Sequence, residues 1–352
     1  EIKMYAFSKC KNLKSVKFSK NSQLKIIEFG AFQESNIVSI MIPKNVSFIE
    51  NSTFSGCLNL QSITFESESK LELIDNSVFS KTSISNILIP NNVKKIEQKA
   101  FSYCQNLKSI KFSDKSKLNS IEAEAFFNSS IEEINLPSNF CNLSNEWCLN
   151  TPNLKRIKIS SDNKIFKMID EKILVGKSKE NIENYDTIYF VSHDVDSIII
   201  PSTVNHILSC SFQYSKNLKK LDFKNEFKLY SIGSHSFQNS SISEILIPKN
   251  IRKIEDNTFC DCQELSKVEF SKDSQLTEIG YKAFSNTNIK SIKIPKSVSI
   301  INKQAFSYCN NLELIEFEEK SNLKTIASEA FLYTNIEEIY LPNSVEILDL
   351  DW

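Results

Sequence analysis

The chain has 352 residues, 41% of them apolar and 24% charged, and a formal net charge of −1. That balance supports a buried core and excludes both a disordered acidic chain and a basic nucleic-acid binder. Five glycines, the closest two 26 residues apart, leave no loop to cradle a phosphate or dinucleotide, and apolar runs of four residues such as 188–191 fall far short of the ~18 a membrane span needs.

The first residues, Glu1-Ile2-Lys3-Met4-Tyr5-Ala6-Phe7, show no secretory leader and already lie inside a repeat, as expected of a piece excised from a longer protein. From Phe7 one Phe recurs at 32, 54, 79, 101 and 126, in steps alternating between 25 and 22 residues, so the unit is a 47-residue pair. One half reads Phe-x-x-Cys-x-Asn-Leu-x-x-Ile-x-Phe, as from Phe101 to Phe112. The other reads Phe-x-x-Thr/Ser-x-Ile-x-x-Ile-x-Ile-Pro, as from Phe284 to Pro295. In both, the closing x-Ile-x-Ile/Phe alternates apolar and polar residues, the period of a short strand with one buried face. Pro43, Pro90 and Pro137 end the strand in every second coil, having no N–H for a ladder. After the strand come a second apolar pair, such as Val93 and Ile96, and then Ala-Phe on a turn or short 3₁₀ segment. Cys148, 22 residues after Phe126, stands at the Phe position of the coil that ends near Ile159.

The pattern breaks once. From Cys148 to Phe212 there are 64 residues where 47 are due, so 17 extra lie between Ile159 and Ile198. Two β-like runs, Lys172-Ile173-Leu174-Val175 and Thr187-Ile188-Tyr189-Phe190-Val191, flank the polar stretch 176–186 and predict a β-hairpin island. It reads either as a projecting recognition element around Tyr185, Tyr189, Phe190 and His193 or as filler packed on its neighbours. The regular coils then resume, with Phe212, Phe237, Phe259, Phe284, Phe306 and Phe331, and with Pro201, Pro248, Pro295 and Pro342.

A Leu-x-x-Ile-x-Ile/Phe unit every 22–25 residues falls in the leucine-rich-repeat class. The expected fold is an α/β repeat: a leucine-rich-repeat horseshoe with a parallel sheet on one face and short 3₁₀ or helical turns on the other. Stacking closes a core that no coil can close alone, each strand pairing with the next at about 4.8 Å and each plug Phe packing between its neighbours. The strand-end residues Phe18, Phe65, Phe112, Phe223, Phe270 and Phe317 are assigned to the same core. The organisation is N-terminal coils 1–159, an island at 160–197 and C-terminal coils 198–352, in one continuous solenoid. Both ends stop inside a coil, Trp352 just short of a plug, so self-association through uncapped edges is a further expectation.

The string Ile89-Pro90-Asn91-Asn92-Val93-Lys94-Lys95-Ile96-Glu97-Gln98-Lys99-Ala100-Phe101-Ser102-Tyr103-Cys104-Gln105-Asn106-Leu107 resembles the BspA-like leucine-rich repeats of surface proteins in some oral bacteria and parasitic protists. The resemblance covers nearly the whole chain. It implies a cell-surface or secreted module that engages host or matrix proteins. The glycine that the family often places before Ala-Phe survives here mainly at Gly233 and Gly280.

The polar residues hold little chemistry. Cys10, Cys57, Cys104, Cys262 and Cys309 share one repeat position, where alternate coils carry Ser or Thr. Two coils apart is about 9.6 Å, beyond the ~7 Å limit for a disulfide. They are expected to be thiols whose small polar atom meets a backbone group at a tight turn; Cys141 and Cys148 are the pair to check for a bridge. Three histidines (His193, His206, His235) form no metal or nucleophile motif, so no catalytic, metal or cofactor residue is assigned. Glu97, Glu122 and Glu255 read as solvated partners of nearby lysines.

Function is therefore expected on the strand face. The outward residue between the last two buried positions is Lys17, Thr64, Lys111, Lys158, Asp222, Glu269 and Glu316 in one register. In the other it is Met41, Leu88, Asn135, Ile199, Leu246, Lys293 and Tyr340. This apolar, charge-changing series is the candidate protein-binding surface, with no nucleic acid, membrane insertion or cofactor involved. Sequons at Asn45, Asn51, Asn128, Asn142 and Asn239 permit a secretory route, whereas unpaired repeat thiols suit a cytoplasmic scaffold.

Overall fold

Period-two segments become strands, and the strands stack in register. The structure, a computed structural model, describes residues 1–179, 181–223 and 228–349; the expectation about Trp352 lies outside them. Two compact units are present, Glu1–Glu171 and Lys172–Trp352. In the first, Ser15–Val16, Ser39–Ile42 and Ser62–Phe65 form one parallel ladder, and Asn86–Leu88, Ser109–Lys111, Glu133–Leu136 and Arg156–Ile159 another. In the second, the strands pair two by two: Ser197–Ile200 with Lys220–Phe223, Glu244–Ile247 with Lys267–Phe270, and Ser291–Ile294 with Leu314–Phe317.

Proline sets this pairing. At three of the steps where the strands are 23 residues apart, the residue after the second strand donates back: Glu66 N to Ile42 O at 3.0 Å, Ser271 N to Ile247 O at 2.9 Å and Glu318 N to Ile294 O at 3.0 Å. Across the 24-residue steps that donor position is Pro43, Pro90, Pro137, Pro248 or Pro295, which has no N–H. Those steps hold two paired residues, as at Ser109–Lys111 with Glu133–Leu136, or none, as between Ser62–Phe65 and Asn86–Leu88. The strand-end side chains differ accordingly: Ile42, Ile89 and Ile247 are fully buried, whereas Phe18, Phe65, Phe112, Phe270 and Phe317, expected in the core, are only half-buried.

The residue that closes the second apolar pair of each coil, such as Ile96, together with the residue before it builds a second parallel sheet of two-residue strands, which the sequence reading left unassigned. Leu73–Ile74, Lys95–Ile96, Ser120–Ile121 and Asn142–Leu143 form one run of it. Another runs through Lys253–Ile254, Glu278–Ile279, Ile300–Ile301, Thr325–Ile326 and Ile347–Leu348.

The third face corrects the expectation of helical or 3₁₀ turns, since the described residues contain no helix. Residues two before and two after each plug have φ near +60°, as at Lys99 (59°) and Tyr103 (58°) around Phe101. N–H groups then alternate in direction. Ser102 N reaches Lys99 O (3.0 Å) within the coil, while Phe101 N and Tyr103 N donate to Ala125 O (2.8 Å) and Phe127 O (2.7 Å) of the next. A helix needs every N–H along one axis and every residue right-handed. Here bonds between coils offset the left-handed cost of about 1–2 kcal/mol per residue.

Inside these turns the plugs stack. Phe7, Phe32, Phe54, Phe79, Phe101 and Phe126 lie 5.1–5.8 Å apart, centroid to centroid. Phe212, Phe237, Phe259, Phe284, Phe306 and Phe331 lie 4.6–5.6 Å apart. The Cys148 coil carries a correction. Its backbone keeps the expected register, because Phe126 N donates to Trp147 O as Phe101 N does to Ala125 O. The ring, however, comes from one residue earlier: Trp147, buried, meets Phe126 edge-on at 6.1 Å. Ala-Phe has become Trp-Cys, the bulk moving to the neighbouring position.

The island is a hairpin, as expected. Ile173–Gly176 pairs antiparallel with Thr187–Val191, with an irregularity between Leu174 and Val175. It is packed rather than projecting: Leu174, Val175, Ile188, Phe190 and Val191 are buried, and Thr187–Val191 continues parallel onto His206–Ile207.

Candidate functional site

On the main strands the inward residues Ile40, Ile87, Ile198 and Ile245 are buried, and the next residue faces solvent. Met41, Leu88, Ile199 and Leu246 are 41–61% exposed. Tyr340 is more exposed still but lies outside any strand, a correction to its expected place on the ladder. Register sets each apolar residue beside a polar one of the next coil, Met41 by Thr64, Leu88 by Lys111, Ile199 by Asp222 and Leu246 by Glu269, while Asn135 stands by Lys158 and Lys293 by Glu316. The exposed apolar residues are thus interleaved steps, not one patch.

The two units treat charge differently. In the second, Lys220 holds Asp222 at 3.0 Å and Lys267 holds Glu269 at 2.8 Å, each from two residues earlier on the same strand. In the first, no carboxylate among the described residues lies at salt-bridge distance from Lys17, Lys111 or Lys158. Glu133, on the same face, stands opposite Arg156 in the register. The lysines neutralising Asp222 and Glu269 were missed by scanning one outward position at a time; the Lys-x-Asp/Glu spacing on a strand is the signal that finds them.

Where the ladder opens between Ser62–Phe65 and Asn86–Leu88, a groove of about 730 Å³ is lined by Thr64, Glu66, Leu88, Asn91, Lys111 and Lys115, among others. Glu66 is engaged there, accepting from Lys44 N at 2.9 Å.

The thiols form a built feature behind the Phe columns. Cys57, Cys104, Cys262 and Cys309 donate to the carbonyls of Phe32, Phe79, Phe237 and Phe284 at 3.0–3.1 Å. The intervening Thr82 and Thr287 bond to Phe79 O and Phe284 O at 2.8 and 2.9 Å. Small polar side chains thus satisfy turn carbonyls. Burial pushes the Cys104 thiol up to about 11 and the Cys148 and Cys262 thiols to about 12, so they are poor nucleophiles at neutral pH. The nine cysteines form no disulfide, Cys141 and Cys148 included.

The histidines stay local: His206 Nδ1 meets Ser231 Oγ and His235 Nδ1 meets Gln238 Oε1, both at 2.8 Å. Among the described residues no three His, Cys, Asp or Glu side chains converge as a metal site. Lys95 bridges Glu97 (3.0 Å) and Glu122 (3.1 Å), and Lys253 bridges Glu255 (3.2 Å) and Glu278 (3.1 Å), so the recurrent acids form surface ladders with lysine.

Residues 1–108, 72–192, 180–313 and 230–351 match the BspA type leucine rich repeat region, a family unit of six copies. The chain belongs to this BspA-type leucine-rich repeat family. Solved structures share the fold. A leucine rich cell surface protein from Faecalibacterium prausnitzii A2-165 is 22% identical, with a TM-score of 0.65 over 80% of this chain and 79% of its own. The pneumococcal vaccine antigen PcpA is 23% identical, with a TM-score of 0.65 over 88% of this chain and 73% of its own. A leucine-rich repeat protein from Eubacterium ventriosum is 20% identical, with a TM-score of 0.62 over 94% and 79%. Comparison with curated protein sequences gives no match. The BspA-type fold is thus a parallel β-solenoid, and no helix of the described residues is long and apolar enough to cross a membrane.

Proposed function

We propose that this BspA-type chain is the protein-binding module of a cell-surface or secreted protein, adhering to host or matrix proteins through its strand face. The observation that carries the reading is the exposure of Met41, Leu88, Ile199 and Leu246 at positions where folding asks for no apolar group. Likeness in fold to a bacterial cell surface protein and a vaccine antigen supports the location. The test is capture of partners from host-cell extract and extracellular matrix by the wild-type chain and by the Leu88→Glu, Leu246→Glu double variant. Loss of capture with unchanged melting supports the reading; equal capture by both overturns it.

A second reading, an intracellular scaffold, is favoured by nine cysteines without a disulfide. Glycan at any of the five sequons of the native protein decides for the first.

A further inference from the structure

Resting on the strand-face reading, we infer that the face of the first unit, Glu1–Glu171, is the one that docks, and that its partner is an extended acidic polypeptide segment whose carboxylates meet Lys111 and Lys158 while an apolar side chain sits on Leu88. Charge distinguishes the two units. On Lys172–Trp352 the outward acids Asp222 and Glu269 are each neutralised by a lysine of their own strand, and Lys293 stands beside Glu316 in the register. An incoming acidic partner there would have to displace the Lys220–Asp222 and Lys267–Glu269 pairs, and at Lys293, which no salt bridge engages among the described residues, it would meet the carboxylate of Glu316 in the next strand.

On the first unit Lys17, Lys111 and Lys158 have no such partner, and an unpaired surface cation draws an opposite charge at long range and costs little to engage. Of the two carboxylates lining the groove by Leu88, Glu66 is turned to the backbone N–H of Lys44, and Glu68 shares the groove with Lys111, Lys115 and Lys117.

Spacing defines the occupant. Lys111 and Lys158 are two paired strands apart, about 9.6 Å at the usual strand separation, and Leu88 lies one paired strand before Lys111. Three residues of extended chain cover about 10 Å. A peptide crossing Asn86–Leu88 to Arg156–Ile159 therefore meets Lys111 and Lys158 with carboxylates three residues apart, and Leu88 one strand before the first of them. Leu88 stands beside Lys111 in the register, and the opened step next to it offers room for an apolar side chain. A sulfated glycan would satisfy the lysines but has nothing to place on Leu88, so the polypeptide is favoured.

The experiment titrates the full chain with a fluorescent 15-residue peptide repeating Glu-Ser-Leu, with Gln-Ser-Leu and Glu-Ser-Ser peptides and a heparin oligosaccharide as controls. The expected result is that Glu-Ser-Leu binds, that both peptide controls bind at least fivefold more weakly, and that Lys111→Glu with Lys158→Glu weakens binding at least tenfold without changing the melting temperature. Lys267→Glu with Lys293→Glu in the second unit should change it less than twofold. Equal loss from the second-unit variant, no binding of Glu-Ser-Leu, or tighter binding of heparin than of peptide overturns the inference. The broader reading fails separately, by equal capture of native partners by wild type and the Leu88→Glu, Leu246→Glu variant; if instead Leu246→Glu alone abolishes capture and the Lys111, Lys158 variant does not, the strand face stands and the first unit's assignment falls.

Discussion

The turn face and the strand face of this protein are made by opposite rules. On the turn face one solution recurs: a ring in the column, left-handed residues on either side and, in coils such as those of Phe79 and Phe284, a hydroxyl or thiol on the plug carbonyl. On the strand face the buried Ile repeats, and the residue beside it changes from coil to coil, from Met41 to Thr64 to Leu88 to Lys111. Residues that hold the stack together vary little, because each is wedged between its counterparts in the neighbouring coils, and where one changes, as at Trp147-Cys148, a ring is kept. Residues that point away from it vary without cost to the fold, and specificity is available only there.

The largest test of that contrast is a plug. Phe101→Ala should destabilise by about 3–5 kcal/mol, read by denaturant unfolding, since Phe101 is fully buried between Phe79 and Phe126. The thiols give the next effect. Cys104 titrates near 9.0 when exposed and about 11 when folded, so above pH 9 the unfolded chain loses its proton first and stability falls as pH rises. Cys104→Ser, which keeps a donor for Phe79 O, should remove about 2 kcal/mol of that alkaline loss between pH 9 and 11 in melts of the two proteins.

Smaller still is relief of the left-handed turns. Gly30 and Gly56 already occupy two such positions, and Glu146, at φ +59°, carries a side chain that the backbone would sooner be without. Glu146→Gly should stabilise by about 0.5–1 kcal/mol, the gain in φ freedom exceeding the added entropy of the unfolded chain. Least of all, Leu88→Glu and Leu246→Glu should each shift stability by no more than about 0.5 kcal/mol, while the pair abolishes binding. A large loss of stability from the strand-face pair, or none from Phe101→Ala, would dissolve the distinction between the faces.

Most of the architecture was readable because it repeats. The Phe spacing located the plugs, the period-two alternation located the main strands, and the Cys/Ser/Thr position announced a small polar atom at a turn. Three things were not readable, each for a definite reason. The short second sheet uses two residues per coil, too few to show a period. The absence of helix follows from hydrogen bonds to the next coil, which one coil's sequence does not contain. The shift of the ring from position 148 to Trp147 preserves volume while breaking the pattern, so a search for Phe passes over it. The candidate face was legible as a set of positions, but not as a charge pattern, because Lys220 and Lys267 act through the strand geometry that brings them onto Asp222 and Glu269.

The amino-acid order by itself determined the repeat length, the plug positions and the place of each proline that interrupts the ladder, because each is a property of spacing or of a missing N–H. Only the folded stack decided which charges are cancelled, which ring fills the Trp147 coil and how the turns are wound. Those depend on distances between residues more than twenty positions apart or on bonds to a neighbouring coil, and they exist only once the coils have met.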